Sequence, residues 1–415
     1  MVSKPTYIDL FAGAGGLSEG FIRSGYSPVA HVEMDEDACY TLKTRLAYHY
    51  LKQINKLDIY NNYLVGKINR EALYKEIPDK ILKSVLTYKI TNGNVNKVFS
   101  EIISILKELR QKKIDIIIGG SPCQAYSLAV RSINKKRLEK DPRNYLYRLY
   151  ARFLKKFRPK LFVFENVPGL LTANKGKYYK NLKNYFKRIG YNLDGKIINA
   201  SEMGVIQKRK RVIIIGREEN LKFEYPEFDI GENIWTVKDI LYDLPLLKAG
   251  EAYPCSEYRA PINEYLQKSE IRNGYKFVTQ NITRPHNYKD LNIYKMAINL
   301  WEKQSRRLKN SDIPKKQRTQ KNTSSFLDRF KVVAGDRLSH TMIAHIAKDG
   351  HHYIHPDKKQ LRSLSLREAA RIQSFPDDYY FEGSRTSAFR QVGNAVPPLM
   401  AKTIANKIKK QLINE

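Results

Sequence analysis

The sequence predicts an α/β fold: a largely parallel, doubly wound sheet with a second, smaller domain that is irregular and partly β. Short apolar runs, each bounded by glycine or charge, recur through the first half with helix-like stretches between them, the alternation that builds parallel sheets. The first run passes at once into a glycine-rich turn and a helix start, as doubly wound folds begin. From about Pro226 to His355 the alternation gives way to a polar stretch rich in Asn, Lys, Arg and Tyr, and then it returns.

In order, Tyr7 to Phe11 reads as a strand, Ala12-Gly13-Ala14-Gly15-Gly16 as a tight turn, and Leu17 to Phe21 as the start of a helix. A second strand, Pro28 to Val32, ends at Glu33 and leads into the helical Asp37 to Tyr50, completing a βαβ unit. Buried strands are expected at Ile114 to Ile118, Leu161 to Phe164 and Arg211 to Ile215, with helices at Tyr147 to Phe157 and Tyr178 to Ile189. The polar region offers only strand-like pieces, Tyr275 to Val278 and Thr341 to Ile346. Leu366, Ala369, Ala370 and Gln373 then mark a helix over Leu364 to Ser374, and a final helix runs from Pro398 to Leu412. The expected domains are 1–225, an inserted 226–359, and a 360–415 segment that returns to the first.

A chain of 415 residues suits two domains. No apolar run reaches the roughly 18 residues that span a membrane, and Met1 to Asp9 lacks a secretory pattern, so a cytoplasmic location is expected. Cys39, Cys123 and Cys255 are odd in number and far apart, which suggests neither a disulfide framework nor a zinc site. The net charge of +32, from 74 Lys and Arg against 42 Asp and Glu, favours a polyanionic partner such as nucleic acid. A compositional bias of the genome, visible in the 28 Tyr, is the rival explanation.

Some residues invite a chemical reading. A glycine turn between strand and helix lets a ligand approach the backbone, and a carboxylate closing the next strand, Glu33, can accept bonds from ribose hydroxyls; a nucleoside-containing cofactor fits both. An ordinary turn with an exposed Glu fits as well. Cys123 follows a buried strand through Gly119-Gly120-Ser121-Pro122, and Glu165 ends another, so thiol and carboxylate should meet at the carboxyl edge of the sheet. A lone cysteine is otherwise more often a small buried hydrophobe. Gln207, Arg209 and Arg211 alternate at strand spacing and should share a face.

Six stretches, in this order, resemble the DNA (cytosine-5) methyltransferases of bacterial restriction-modification systems: Asp9 to Gly16, Pro122-Cys123-Gln124, Glu165-Asn166-Val167, Gln207 with Arg209 and Arg211, Arg367 to Pro376, and Gln391 to Pro398. The resemblance implies a Rossmann-like S-adenosylmethionine-dependent methyltransferase fold and methyl transfer to C5 of a cytosine flipped out of a specific double-stranded DNA site. By the same resemblance Cys123 attacks cytosine C6, Glu165 serves the N3 edge, and Arg209 holds O2 and supports Glu165, with Gln207 and Arg211 completing the set. The cofactor is S-adenosylmethionine. It is implied to lie on the turn Ala12, Gly13, Gly15, Gly16 and Leu17, with Phe11 against the adenine, Glu33 on the ribose, Pro122 and Leu146 as walls, and Asn394 and Ala395 near the methionine end. Gln124, Ser127, Arg131 and Arg143, on a basic loop, and Arg306 and Arg307, in the polar region taken as target-recognition domain, are implied DNA contacts. A monomer is expected, and a cognate endonuclease would act on the same site without having to bind this chain.

The chain departs from the family pattern in places. Met34 stands where an aromatic or apolar residue packs on the adenine. Asn94, in Gly93-Asn94-Val95, takes the place of an Asp, with Asp58 as rival because Tyr50 to Tyr88 is an insertion. Leu128-Ala129-Val130-Arg131 follows Ser127 where a glycine is usual. Five of eight histidines, His340, His345, His351, His352 and His355, fall in the polar region; their irregular spacing favours plain polar or DNA-facing positions over a metal cluster. A tRNA cytosine-5 methyltransferase and a non-catalytic DNA-binding relative are the competing readings.

Overall fold

The computed structural model describes residues 4–120, 146–222, 224–228, 234–319 and 327–413. Its frame is a seven-stranded sheet of β1 (Thr6–Leu10), β2 (Ser27–Glu33), β3 (Val85–Thr87), β4 (Ile116–Gly119), β5 (Leu161–Asn166), β6 (Tyr191–Asn199) and, after the two-residue β7 (Gln207–Lys208), β8 (Lys210–Glu218). The order is β3-β2-β1-β4-β5-β8-β6. β1 to β5 pair parallel, and β8 runs against both its neighbours. The chain winds outward from β1 through β2 to β3, then returns to place β4 on the other side of β1. That reversal opens a crevice at the carboxyl ends of β1 and β4.

Alternation along the strands supplies two apolar faces. Ile8, Leu10, Ile117, Phe162 and Ile214 pack against α6 (Val95–Glu108), α7 (Leu146–Phe157) and, beyond the single turn α8 (Gly169–Thr172), α9 (Lys177–Arg188). On the other face Tyr7, Ile116, Ile118, Val163 and Ile213 meet α1 (Gly16–Arg23) through Leu17 and Phe21, and the last helix of the chain, residues Pro398–Ile413, through Met400, Ala401, Ile404 and Ile408. After β2 comes the long α2 (Glu36–Gln53), capped by the Asp35 side chain. The insertion forms three short helices, α3 (Leu57–Leu64), α4 (Arg70–Lys75) and α5 (Asp79–Leu82), which share a tyrosine-rich core with α2.

The polar region is more ordered than its composition suggests. It holds α10 (Val237–Leu241), a hairpin of β9 (Ala252–Glu257) and β10 (Phe277–Ile282) around α11 (Glu264–Lys268), and the unforeseen 17-residue α12 (Tyr288–Gln304). Thr341 to Ile346, expected as a strand, is instead a loop leading into a 3-10 turn at Ala344–Ala347, and only β11 (Ser339–His340) pairs, with β7. Packing explains the difference: Ile343 and Ala344 lie so close to Gly393 that a Cβ there would come within 2.6 Å of their backbone, leaving no lane for a further strand.

The C-terminal segment divides. α13 (Leu366–Ile372) and α14 (Arg385–Asn394) share a core with Val237, Ile240, Val278 and Met342 of the polar region, whereas the last helix, α15, returns to the sheet. Among the described residues no helix is long and apolar enough to cross a membrane.

Candidate active site

The turn after β1 is built from backbone that side chains rarely adopt. Phe11 has φ 58° and Gly13 φ 54°, and a left-handed conformation at an aromatic residue costs energy that ordinary turns avoid. Among the described residues nothing lies within 4 Å of where a Gly13 Cβ would stand. The Gly13 N–H donates to Glu33 Oε2 at 2.8 Å, while Glu33 Oε1 accepts from the N–H groups of Met34 (2.7 Å) and Asp35 (2.9 Å). With three of about four acceptor positions taken, Glu33 fixes the turn to the end of β2, and among the described residues one position stays open. Met34 is 61% exposed beside it, an apolar side chain with no apolar cover. Beneath the turn both oxygens of the buried Asp9 lack a hydrogen-bond partner among the described residues, and burial, reinforced by Glu33, raises its pKa well above the carboxylate range.

Several of the expected cofactor residues are also engaged in packing within the protein. Gly16 abuts the Val396 carbonyl and Gly15 abuts Leu42, and Leu17 is buried in the core shared with α15; close packing explains all three. Phe11 and Leu146 flank the same core cluster. Ala12 is tied back to β2, its N–H donating to the Val32 carbonyl at 3.2 Å. Asn94 caps α6 just beyond β3, on the carboxyl edge, but its side chain is engaged: Oδ1 accepts from the Thr91 N–H and Nδ2 donates to the Lys89 carbonyl, both at 2.8 Å. Its rival Asp58 lies exposed in the first turn of α3, after α2 has run back to the amino edge. Asn394 is exposed at the end of α14, and Ala395 beside it is buried.

Gly119 pairs with both Leu10 and Phe164, so the segment bearing Cys123 leaves the sheet between the glycine turn and Glu165. Gly120 is tight against that carboxylate: a Cβ would fall 2.7 Å from Glu165 Oε2 and 2.8 Å from its carbonyl. Cys123 itself lies outside the described residues, as do Pro122, Gln124, Ser127, Arg131 and Arg143. Glu165, at the end of β5, is paired with Arg211, whose Nε stands 2.8 Å from Oε1.

The resemblance implied that Arg209 supports Glu165; among the described residues the partner of that carboxylate is Arg211. The chain kinks between β7 and β8, where the Arg209 N–H bonds back to the Gln207 carbonyl, and the three side chains separate. Arg209, 1% exposed, donates to the carbonyls of Met342 and Ala395, the latter at 2.9 Å. Gln207 donates to Gln373 Oε1 (2.9 Å) and accepts from the Met342 N–H (2.8 Å). Both therefore join the Met342 loop to the C-terminal segment, and Arg211 alone of the three meets the carboxylate.

Arg306 and Arg307 lie on the surface, paired with Asp312 (2.8 Å) and Asp328 (3.2 Å). Of the five histidines of the polar region, His351 and His355 are buried and His340, His345 and His352 are half-buried; His351 Nδ1 meets the Tyr294 hydroxyl at 2.8 Å, so these are polar positions within the packing of the region. Among the described residues no group of three or more His, Cys, Asp or Glu could hold a metal. Sequence reasoning missed Tyr379, whose hydroxyl donates to the Ala14 carbonyl in the turn; a tyrosine in a loop between two helices carried no signal.

A seven-stranded sheet with one antiparallel strand, a strained glycine turn at its switch point and a paired carboxylate across the crevice define an α/β enzyme of the methyltransferase type. The sequence matches the C-5 cytosine-specific DNA methylase family over residues 6–72 and 76–410. It is 42% identical to the type II methyltransferase M.Bpa9945I of Bacillus paralicheniformis, covering 97% of this chain and 98% of that one. It is 30% identical to M1.HphI of Haemophilus parahaemolyticus, covering 99% and 88%. Among solved structures it is similar to an E. coli prophage protein described as a DNA modification methyltransferase (TM-score 0.65, 22% identity, 99% and 100% covered) and to the Entamoeba histolytica methyltransferase EhMeth (0.54, 15%, 99% and 98%). The chain belongs to the C-5 cytosine-specific DNA methylase family and is a DNA cytosine methyltransferase. Enzymes of this kind use S-adenosylmethionine.

Proposed function

We propose that this chain is the modification enzyme of a type II restriction-modification system and that the crevice between the glycine turn and Glu165 is its reaction centre. The observation that carries the reading is the Arg211–Glu165 pair, which lies against Gly120, three residues before Cys123. The relatives named as type II methyltransferases over their near-full length support the biological role.

Among the described residues the turn suits S-adenosylmethionine: an open backbone at Gly13, an exposed Met34 for a flat ring, a spare acceptor on Glu33, and the unpartnered carboxyl of Asp9 below. Phe11, Gly13, Glu33 and Met34 would hold its nucleoside, with Asn394 toward its other end. When bound, the cofactor supplies an electrophilic methyl group. Asn94 contributes its place in the loop more than a free side chain.

Cytosine C5 is a poor nucleophile, and the residues of this chain answer that. The Cys123 thiolate adds to C6, forming an S–C bond and moving an electron pair onto the ring so that C5 becomes nucleophilic. Glu165 holds a proton at N3 and keeps charge from accumulating there. Arg211 orients Glu165 and, as a planar multi-donor cation, takes the O2-facing role expected of Arg209. Once C5 carries its methyl group, loss of the C5 proton lets the S–C bond break and Cys123 leave. The base must be flipped from the duplex for any of this. We place the recognition of flanking sequence in the 226–359 region and read the enzyme as a monomer.

The test is a duplex carrying 5-fluorocytosine at the target. Fluorine cannot leave as a proton does, so a covalent adduct is expected to accumulate, and peptide mapping should find it on Cys123. An adduct on another residue, or none in the presence of cofactor, overturns the mechanism.

A further inference from the structure

The insertion of residues 50–88 has no part in the chemistry just described, yet it grips one segment at both ends. From α3, the Tyr60 hydroxyl donates to the Asp378 carbonyl at 2.8 Å and the Tyr63 hydroxyl donates to Glu382 Oε1 at 2.6 Å. From α4, Arg70 stands 3.6 Å from Glu382 Oε2. α2 adds Arg45, which bonds Asp378 Oδ1 at 3.0 Å while its other nitrogens hold Glu19 of α1 at 2.6 and 2.9 Å. Burial would raise the Glu19 carboxyl, but Arg45 outweighs it and holds the group well below the usual range, so this cross-brace is ionised at neutral pH.

Between the two gripped ends lies Tyr379. Its ring packs on Phe375 and Phe381 with centroids 4.7 and 5.3 Å apart, the Arg45 guanidinium stands 4.8 Å from it, and its hydroxyl reaches the Ala14 carbonyl. Ala14 sits between Gly13 and Gly15, the residues that set the path of the turn. We propose that the insertion is a strut and that Tyr379 is a positioning residue, holding the glycine turn in the conformation that receives the cofactor.

This rests on the reading of the turn as the cofactor site, and the test separates the two. Tyr379→Phe removes only the hydroxyl and leaves the packed ring. Titration of S-adenosylhomocysteine into this variant is expected to show binding weaker by about three- to tenfold, the worth of one hydrogen bond. KM for S-adenosylmethionine should rise by the same factor, with KM for DNA and the rate at saturating cofactor close to the parent. Loosening the strut by Tyr60→Phe with Tyr63→Phe should give the same pattern at smaller amplitude. Phe11→Ala is the control for the site itself. If it loses S-adenosylhomocysteine while both tyrosine variants bind as the parent does and only melt earlier, the insertion is a structural brace and the proposal fails alone. If Tyr379→Phe weakens DNA and cofactor equally, the hydroxyl has no specific hold on the turn and the proposal again fails. If Phe11→Ala binds like the parent, the turn is not the cofactor site and both readings fall.

Discussion

At the scale of single residues, the two buried arginines of the Gln-x-Arg-x-Arg stretch do different work. Arg211 pairs with the carboxylate at the end of β5, so removing it acts first on Glu165. Arg209 satisfies backbone carbonyls of the Met342 loop and of Ala395, so Arg209→Met should leave buried acceptors unpaired at about 1 to 3 kcal/mol each. A drop in denaturant midpoint at unchanged slope is expected, with the covalent trap still forming in whatever fraction stays folded; a fully stable variant unable to trap DNA would restore Arg209 to catalysis. That all three side chains would be buried was not legible, though their alternation at strand spacing was. Which of them meets Glu165 was not, because the kink at 208–209 exchanges β11 for β5 and β6 as pairing partners, and no periodicity encodes a change of partner. The glycine turn was legible for the opposite reason: its left-handed backbone follows from local sequence.

At the scale of elements, the catalytic strands were readable because parallel strands buried on both faces are short apolar runs. The helices α3 to α5 and α12 were not: α4 and α5 are too short to show a period, and α3 and α12 mix tyrosines and asparagines into their apolar positions. α12 did announce its start with Asn287, whose side chain caps it. His286 meets Tyr294 of this helix, and His340 and His352 lie against Tyr353. Burial pushes His286, His340 and His352 each down to about 4, so all three are neutral in the folded chain at neutral pH. An unfolded histidine titrates near 6.5, and between about pH 6.5 and about pH 4 the unfolded chain therefore binds more protons and stability falls with pH. Glu19 and Glu368, held well below the usual range against the pull of burial by Arg45 and Arg362, lose their contribution only at lower pH. Calorimetric melting should show the transition temperature declining through the histidine window; a flat profile there would show that these side chains remain hydrated.

At the scale of the whole molecule, a net charge of +32 has to be apportioned between DNA binding and compositional bias. Counterion release decides it: each phosphate neutralised adds about 0.9 to the negative slope of log affinity against log salt. Arg306 and Arg307 are already paired with Asp312 and Asp328 at exposed sites, where such pairs are worth about 0 to 1 kcal/mol, so exchanging a carboxylate for a phosphate costs little. Replacing both with alanine should lower the slope by about 2 and leave binding of S-adenosylhomocysteine unchanged in the absence of DNA. An unchanged slope in fluorescence anisotropy would place the DNA elsewhere on the surface.

The two helices that meet on one face of the sheet stand far apart in sequence. α15 lies along α1, with the Tyr26 hydroxyl on the Ala405 carbonyl at 2.9 Å and Lys409 on the Ser24 carbonyl at 2.8 Å, and the two share the cover of that face. Leu17 and Phe21, which follow the glycine turn directly, are seated by Met400, Ala401, Ile404 and Ile408, a contact made only by closing a long loop of chain. Local sequence shapes the turn, but a distant helix holds the segment that leaves it.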